Sequence, residues 1–368
     1  MSNNPLHDAI KKVATGPEYS KNLSFDETLE SMTFILDGNA DPVQTAIFFI
    51  ALRMKRETSE ENRGILQAIR NSTIQINSAT QLLVDVNHLI DLSDPYNGYI
   101  RGVPSSAFLP AIFAAAGYSC VSHGLEKVAP KFGVTSHRIL KAAGKSVLLP
   151  IHEVKLNLEN KNIGWSYLDQ AIYCPALYKL TRLRQRMVKR QVLTTVEALA
   201  QPLRATGKTH LMSGYVHKAY PEIYSDLARH AEFDNMILVR GGEGGVVPSL
   251  KQKGRYFSYK DFTETLQHSL DPASIGLSQQ SRNVPLPLYL ADIENSNSEK
   301  KLNQLANHAV DLGLKALAGG LGETRDSLIY SGAIMLSNLN HYNLNEAADI
   351  VRSLLNSGAA LSAFNQHP

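Results

Sequence analysis

The residues of this chain best suited to chemistry fall into four places. The most basic is Tyr178 to Arg190, which carries Lys179, Arg182, Arg184, Arg186, Lys189 and Arg190 and no acid. On a helix turning by about 100° per residue, all of these except Arg184 fall in one arc of roughly 100°. Leu177, Leu180, Leu183, Met187 and Val188 spread round the other side, and Arg184 alone projects from among them. An inward arginine needs an anionic or hydrogen-bonding partner. The outward stripe reads either as a solvated face or as a surface for a polyanion. Five cations without interleaved carboxylates repel one another, which gives the second reading its weight.

The other three places are short loops. Asp94-Pro95-Tyr96-Asn97-Gly98 sits where an α/β fold sets a ligand loop, between a strand-like run and a helix beginning near Ser105. A phosphate cradle needs several glycines so that backbone N–H groups can approach the oxygens. One glycine among turn residues reads better as a structural turn. His123-Gly124 closes another strand-like run, with Lys131-Phe132-Gly133 shortly after. An imidazole and an ammonium there can contact an anion or serve the structure. The stretch from Glu126 to Lys145 adds Lys127, Arg138 and Lys141, with Glu126 its only acid. Gly241-Gly242-Glu243-Gly244-Gly245 reads equally as a phosphate site or a tight turn. Val246 and Val247 follow it and supply no metal ligand. No His/Cys cluster has zinc spacing, and no Gly-x-Ser-x-Gly occurs.

The elements that must position these residues change character along the chain. Before residue 85, Ser24 with Glu27 and Thr58 with Glu61 form capping boxes, and Asp41-Pro42 is a further helix start. These caps predict three short helices. Beyond them, the apolar runs Leu82–Val86, Tyr118–Val121, Val147–Leu149, His210–Met212 and Met236–Val239 alternate with helical stretches such as Ser105–Ala116 and Tyr220–Ala231. That alternation predicts a mostly parallel sheet with crossover helices. Ser298 to Phe364 reads as helical, broken at Gly319-Gly320 and Gly358, and Asp271 to Asn295 as a long Ser/Pro-rich surface loop.

The composition is that of a soluble globular chain: 368 residues, 43% hydrophobic and 19% charged, enough for about two domains. The apolar run Ser106–Val121, interrupted by Pro110 and Gly117, is shorter than the roughly 20 residues of a membrane helix. Met1 to Lys12 has no apolar centre of the kind a secretory leader carries. Two cysteines make no disulfide framework, so a reducing cytoplasm is the expected setting. The net charge of +3 is too small to imply a polyanion partner by itself.

The order of these pieces resembles anthranilate phosphoribosyltransferase and the wider glycosyltransferase family 3, which includes pyrimidine nucleoside phosphorylases. The likeness rests on Ala46-Ile-Phe-Phe-Ile-Ala-Leu-Arg-Met-Lys55, Glu57-Thr-Ser-Glu-Glu61, His123-Gly124 with Lys131-x-Gly133, Cys174-Pro-Ala-Leu177 leading to Arg184, and Leu354-Leu-Asn-Ser-Gly-Ala-Ala-Leu361. It implies a helical domain (residues 1–81, completed by helices around 178–200) and a larger α/β domain with a mostly parallel central sheet (82–177 and 201–368). It further implies a cleft between them and a homodimer through the helical domains. Ligand contacts would come from Arg184, His123, Gly124, Lys131, Asn97, Gly98, Gly241 and Gly242. Arg184 matches the arginine that contacts anthranilate.

This chain departs from that family where the donor binds. The family's Gly-Thr-Gly-Gly-Asp falls on Asp94-Pro-Tyr-Asn-Gly98, its Asn-x-Ser-Thr on Pro104-Ser-Ser-Ala107, and its Lys-His-Gly-Asn-Arg on Ser122-His-Gly-Leu-Glu126. Its magnesium-holding Asp-Glu falls on Val246-Val247. Losing both the glycine cradle and the metal carboxylates should cost several kcal/mol of pyrophosphate binding and leaving-group stabilisation. No cofactor and no magnesium are therefore expected, and phosphoribosyl anthranilate is not the expected product. A narrower resemblance is to a paralogous bacterial subfamily that has lost the same motifs and is assigned nucleic-acid binding. Its Tyr-Asn-Gly is matched by Tyr96-Asn97-Gly98 and its Gly-x-Glu-Gly by Gly241-Gly-Glu-Gly244. The leading expectation is a homodimer that binds DNA or RNA through Lys179, Arg182, Arg186, Lys189 and Arg190. The alternatives are pentosyl transfer to an aromatic or heterocyclic acceptor with altered donor binding, and a module that binds a small anionic aromatic ligand.

Overall fold

The computed structural model describes residues 4–16, 18–73, 83–295, 298–340 and 342–368. Four helices open the chain where the caps predict three: α1 (Pro5–Val13), α2 (Phe25–Leu36), α3 (Pro42–Lys55) and α4 (Ser59–Asn71). The additional helix, α1, is capped by Asn4 and buries Leu6, Ala9 and Val13, a helical stripe of few but correctly spaced residues. Both capping boxes form, and Asp41 accepts from the Val43 and Gln44 N–H groups. Glu61 also accepts from the Leu23 N–H at 2.9 Å and pairs with Lys55 at 2.7 Å, tying the entry of α2 to α4 from a fully buried position.

The remaining elements build the sheet and its covering layers. In chain order they are β1 (Leu83–Val84), β2 (His88–Ser93), α5 (Leu109–Ala115), β3 (Ser119–Gly124), α6 (Ser136–Ala142), α7 (Ile151–Glu159) and β4 (Trp165–Asp169). Next come α8 (Gln170–Tyr173), α9 (Pro175–Lys179), α10 (Thr181–Met187), α11 (Leu193–Val196), β5 (Arg204–Ala205), β6 (Lys208–Tyr215), α12 (Tyr220–His230) and β7 (Asn235–Arg240). The chain then forms β8 (Gly254–Lys260), β9 (Leu266–Leu270), α13 (Glu299–Leu317), α14 (Glu323–Asn340), α15 (Leu344–Asn356) and α16 (Ala359–Gln366).

Seven strands lie in the order β4-β3-β2-β6-β7-β8-β9, parallel through β7 and antiparallel beyond it. Side chains alternate between two cores, as a pleated strand requires. Leu89, Val121, Met236 and Leu238 pack toward α1 to α4 and α12, whereas Ile90, Cys120, Ile237 and Val239 pack toward α5 and α13 to α16. Segments from the middle of the chain return to the first helices, with α10 against α3 and α11 against α4.

The structure corrects several sequence expectations. The central strand is His88–Ser93 rather than Leu82–Val86. Leu83 and Val84 make only a two-residue pairing with β5, and Leu82 lies outside the described residues. The true strand is hidden because His88, Asp91 and Ser93 interrupt its apolar run. Val147–Leu149 is no strand: Leu148 is 58% exposed, in the connection leading to α7. β4, β8 and β9 were not among the expected strands. The 271–295 segment has no long element, as expected, yet it is not a surface excursion. Ile275, Leu277, Val284, Leu290 and Ile293 anchor it in the core.

Candidate binding cleft and basic surface

The carboxyl ends of β2, β6 and β7 open on a cleft that also touches α11 and the start of α12. Its lining includes Asp94, Tyr96, Asn97, Arg190, Thr194, Glu197, Tyr215, His217, Tyr220, Tyr224, Glu243 and Gly244. It encloses about 90 Å³, well short of the roughly 300–1,000 Å³ of sites that hold drug-sized ligands. Of the residues expected to contact ligand or nucleic acid, Asn97 and Arg190 line this cleft. The others are engaged within the chain or lie elsewhere.

Arg184 is the clearest case. It is fully buried, and its two terminal nitrogens each lie 2.6 Å from an oxygen of Glu197, a bidentate pair. The partner demanded by an inward arginine is thus a carboxylate of the same chain. Lys131 reaches Glu243 Oε2 at 2.9 Å, and Glu243 also accepts from the Ile100 and Arg101 N–H groups at 3.1 and 2.8 Å. Burial pulls the Lys131 ammonium below its usual range, against the pull of Glu243. His123 is buried between Asp91, 2.7 Å from its Nε2, and the Tyr96 hydroxyl on its Nδ1. The Tyr173 hydroxyl lies 2.8 Å beyond that of Tyr96. Neither ring nitrogen is left for a ligand.

The glycines serve chain packing in the same way. Gly98 has φ +68°, and a Cβ there would lie 2.5 Å from the Gly133 carbonyl carbon. The Asn97 carbonyl accepts from the Gly133 N–H at 2.8 Å, while Tyr99 and Val134 exchange two backbone hydrogen bonds. This loop is therefore zipped to residues 133–134. A Cβ on Gly241 would meet the Gly245 carbonyl, and one on Gly242 the Asn283 side chain. Gly124 has only ordinary contacts with Tyr96 and Tyr167. Val246 is fully buried, so the position expected to lack a metal carboxylate is filled with apolar core. Two valines offer no side-chain oxygen, and these residues do not fit a magnesium site built on carboxylates. Among the described residues, no group of three or more His, Cys, Asp or Glu is placed to hold a metal.

Asp94 is a cleft residue whose acidity burial alters. Tyr99 and Ser106 each donate to it at 2.6 Å, but burial dominates and pushes its carboxyl up to about 6. It was legible in sequence only as a turn residue. Glu197, Tyr215, His217, Tyr220 and Tyr224 carried no sequence signal at all, because their roles depend on distant segments meeting.

The basic segment differs from the single helix that its periodicity predicts. α9 ends at Lys179, α10 carries Arg182 and Arg186, and Val188 turns left-handed at φ +63°. Lys189 and Arg190 lie beyond that turn, so the five do not form one helical arc, although all five are exposed. None makes an ion pair among the described residues. By contrast, the other basic stretch is neutralised. Lys127 and Arg138 both bind Glu299, which they hold at about 2, and Lys141 pairs with Glu126.

A bundle of short helices stands beside a mostly parallel, seven-stranded sheet that is covered on both faces and has a cleft at its strand ends, and known proteins share this arrangement. Residues 7–73 match the glycosyl transferase family helical bundle domain. Beyond that segment, the chain is similar over nearly its whole length to anthranilate phosphoribosyltransferases. It is 24% identical over 360 residues to the anthranilate phosphoribosyltransferase of Dehalococcoides mccartyi, covering 97% of this chain and 95% of that one. It is 27% identical over 281 residues to an uncharacterized protein of Aquifex aeolicus, covering 74% of this chain and 78% of the relative. The fold is also that of the anthranilate phosphoribosyltransferase from Saccharomyces cerevisiae solved with PRPP and Mg. That likeness has a TM-score of 0.73 at 16% identity, over 98% of this chain and 96% of that chain. The Thermus thermophilus enzyme gives 0.69 at 17% identity, over 99% and 98%. Among the described residues, no helix is long and apolar enough to cross a membrane.

Proposed function

We propose that this protein binds nucleic acid through Lys179, Arg182, Arg186, Lys189 and Arg190 and does not transfer phosphoribose. One observation carries the reading: the buried basic groups beside the cleft are paired within the chain, while these five are exposed and have no ion partner among the described residues. Free, clustered cations are what phosphates displace counterions from, with little demand on sequence. The likeness of Tyr96-Asn97-Gly98 and Gly241–Gly244 to the nucleic-acid-binding paralogues supports the same reading. We further propose a homodimer through α3, whose Val43, Ile47 and Met54 are 66%, 43% and 77% exposed along one helix. A monomeric mass by light scattering would remove that part.

The test is fluorescence anisotropy with a labelled oligonucleotide across a salt series. Sub-micromolar binding that weakens steeply with salt is expected. The double variant Arg182→Glu with Arg186→Glu should abolish it at moderate salt while the protein stays folded. Unchanged affinity in that variant sinks the proposal.

A second reading is pentosyl transfer to a heterocyclic acceptor. It is favoured by the full-length similarity to the Dehalococcoides enzyme and by the cleft at the strand ends. It needs a donor held without the usual magnesium carboxylates, for instance a nucleoside with phosphate. Product formed from nucleosides or activated pentoses would establish it, and no turnover across both sets would dismiss it.

A further inference from the structure

The proposed nucleic-acid surface runs into the cleft, and Arg190 belongs to both: it ends the basic segment and lines the cleft mouth. Beside it stands an aromatic group. The Tyr220 ring is half-buried, 6.1 Å from the exposed His217 ring and 5.2 Å from Tyr224, which it meets edge-on. Such a ring offers a face on which a base can stack, and stacking tolerates any base.

The cleft interior says which part of a nucleotide can enter. Its lining includes three acidic residues, Asp94, Glu197 and Glu243. The buried cations that touch these acids, Arg184 and Lys131, are already held by Glu197 and Glu243. A phosphate would find both of those cations already engaged and would face acidic side chains, so its place is at the rim, near Arg190. A neutral planar ring meets no such penalty, and a 90 Å³ space suits a ring better than a sugar diphosphate.

We infer that the cleft mouth takes one unpaired nucleobase, stacked on Tyr220 beside Arg190, and that the protein therefore prefers single strands to duplex. The inference rests on the nucleic-acid reading above and adds a base-binding subsite to it. Duplex bases are stacked and paired within the helix, so a duplex reaches the cations but leaves the tyrosine empty.

The experiment compares one oligonucleotide containing 2-aminopurine as a single strand and as a duplex, at fixed salt. The wild-type protein should bind the single strand about tenfold more tightly and change its 2-aminopurine emission. Tyr220→Ala should lower single-strand affinity to the duplex level and abolish the emission change, with duplex affinity unaltered. Tyr220→Phe, which keeps the ring, should behave as wild type. Equal affinity for both forms in the wild type, or an unaltered single-strand affinity in Tyr220→Ala, overturns the base subsite while leaving the basic surface intact. Loss of duplex binding in Tyr220→Ala overturns the assignment of that residue to the base. Absence of binding to either form in the wild type overturns both readings.

Discussion

Arg184 and Arg186 share one short helix, two residues apart, yet one is sealed against Glu197 and the other is bare to solvent. The same division runs through the whole region. On the cleft side, Lys131 is held by Glu243, and His123 by Asp91 and Tyr96. On the outer side, Lys179, Arg182, Arg186, Lys189 and Arg190 have no ion partner among the described residues. A charge taken out of water requires a partner at once, whereas a solvated one can wait for a partner to arrive. The inner cations therefore belong to the fold, and the outer ones are available to a ligand.

Three perturbations should separate the two sides, and the largest effect belongs inside. Glu197→Ala strands the Arg184 guanidinium in a fully buried position and should cost about 3–5 kcal/mol in denaturant unfolding. A loss below about 1 kcal/mol would mean that Arg184 finds water or another acceptor, and that the pair is not structural.

Asp94 comes next, through pH. Its carboxyl titrates near 6 in the folded chain, above the ordinary 3.8. The folded state then holds the proton more tightly than the unfolded state. The resulting stability is present below about pH 4 and is lost as pH rises through 6. Asp94→Asn should remove that decline, leaving the variant as stable as wild type or better at pH 8 by up to roughly 3 kcal/mol. Melting curves at pH 4, 6 and 8 decide this, and an identical pH dependence in both proteins would refute it.

The smallest effect on folding belongs outside. Arg182→Glu with Arg186→Glu should change unfolding free energy by no more than about 0.5 kcal/mol, while reducing the slope of log affinity against log salt by about 2. A melting shift as large as that of Glu197→Ala would erase the distinction between the two sides.

What the sequence revealed follows from the range over which each signal acts. Ser24 with Glu27 and Thr58 with Glu61 cap helices through residues three apart, so both are legible and both form. The alternation of β3, β6 and β7 with helices was legible for a similar reason, since each strand carries its own apolar run. β2 was displaced because its Asp91 and Ser93 are spent on contacts with His123 and the Ala198 carbonyl, which lie far away in sequence. The basic segment was visible as composition, but its break at Val188 was not, because a left-handed valine contradicts local preference. The inward direction of Arg184 could be read from the leucines around it. Its partner could not, because Glu197 lies beyond that break, on a segment that returns toward α4.

The Arg184–Glu197 pair also determines what the cleft can accept from solution. An acid arriving from outside would have to displace a carboxylate that is permanently attached and already aligned. Even a loosely tethered group competes at an effective concentration of about a millimolar, and one fixed in a bidentate fork competes at far more. The protein carries its own competitive inhibitor of anion binding at this arginine, and no dilution or dialysis can wash it away.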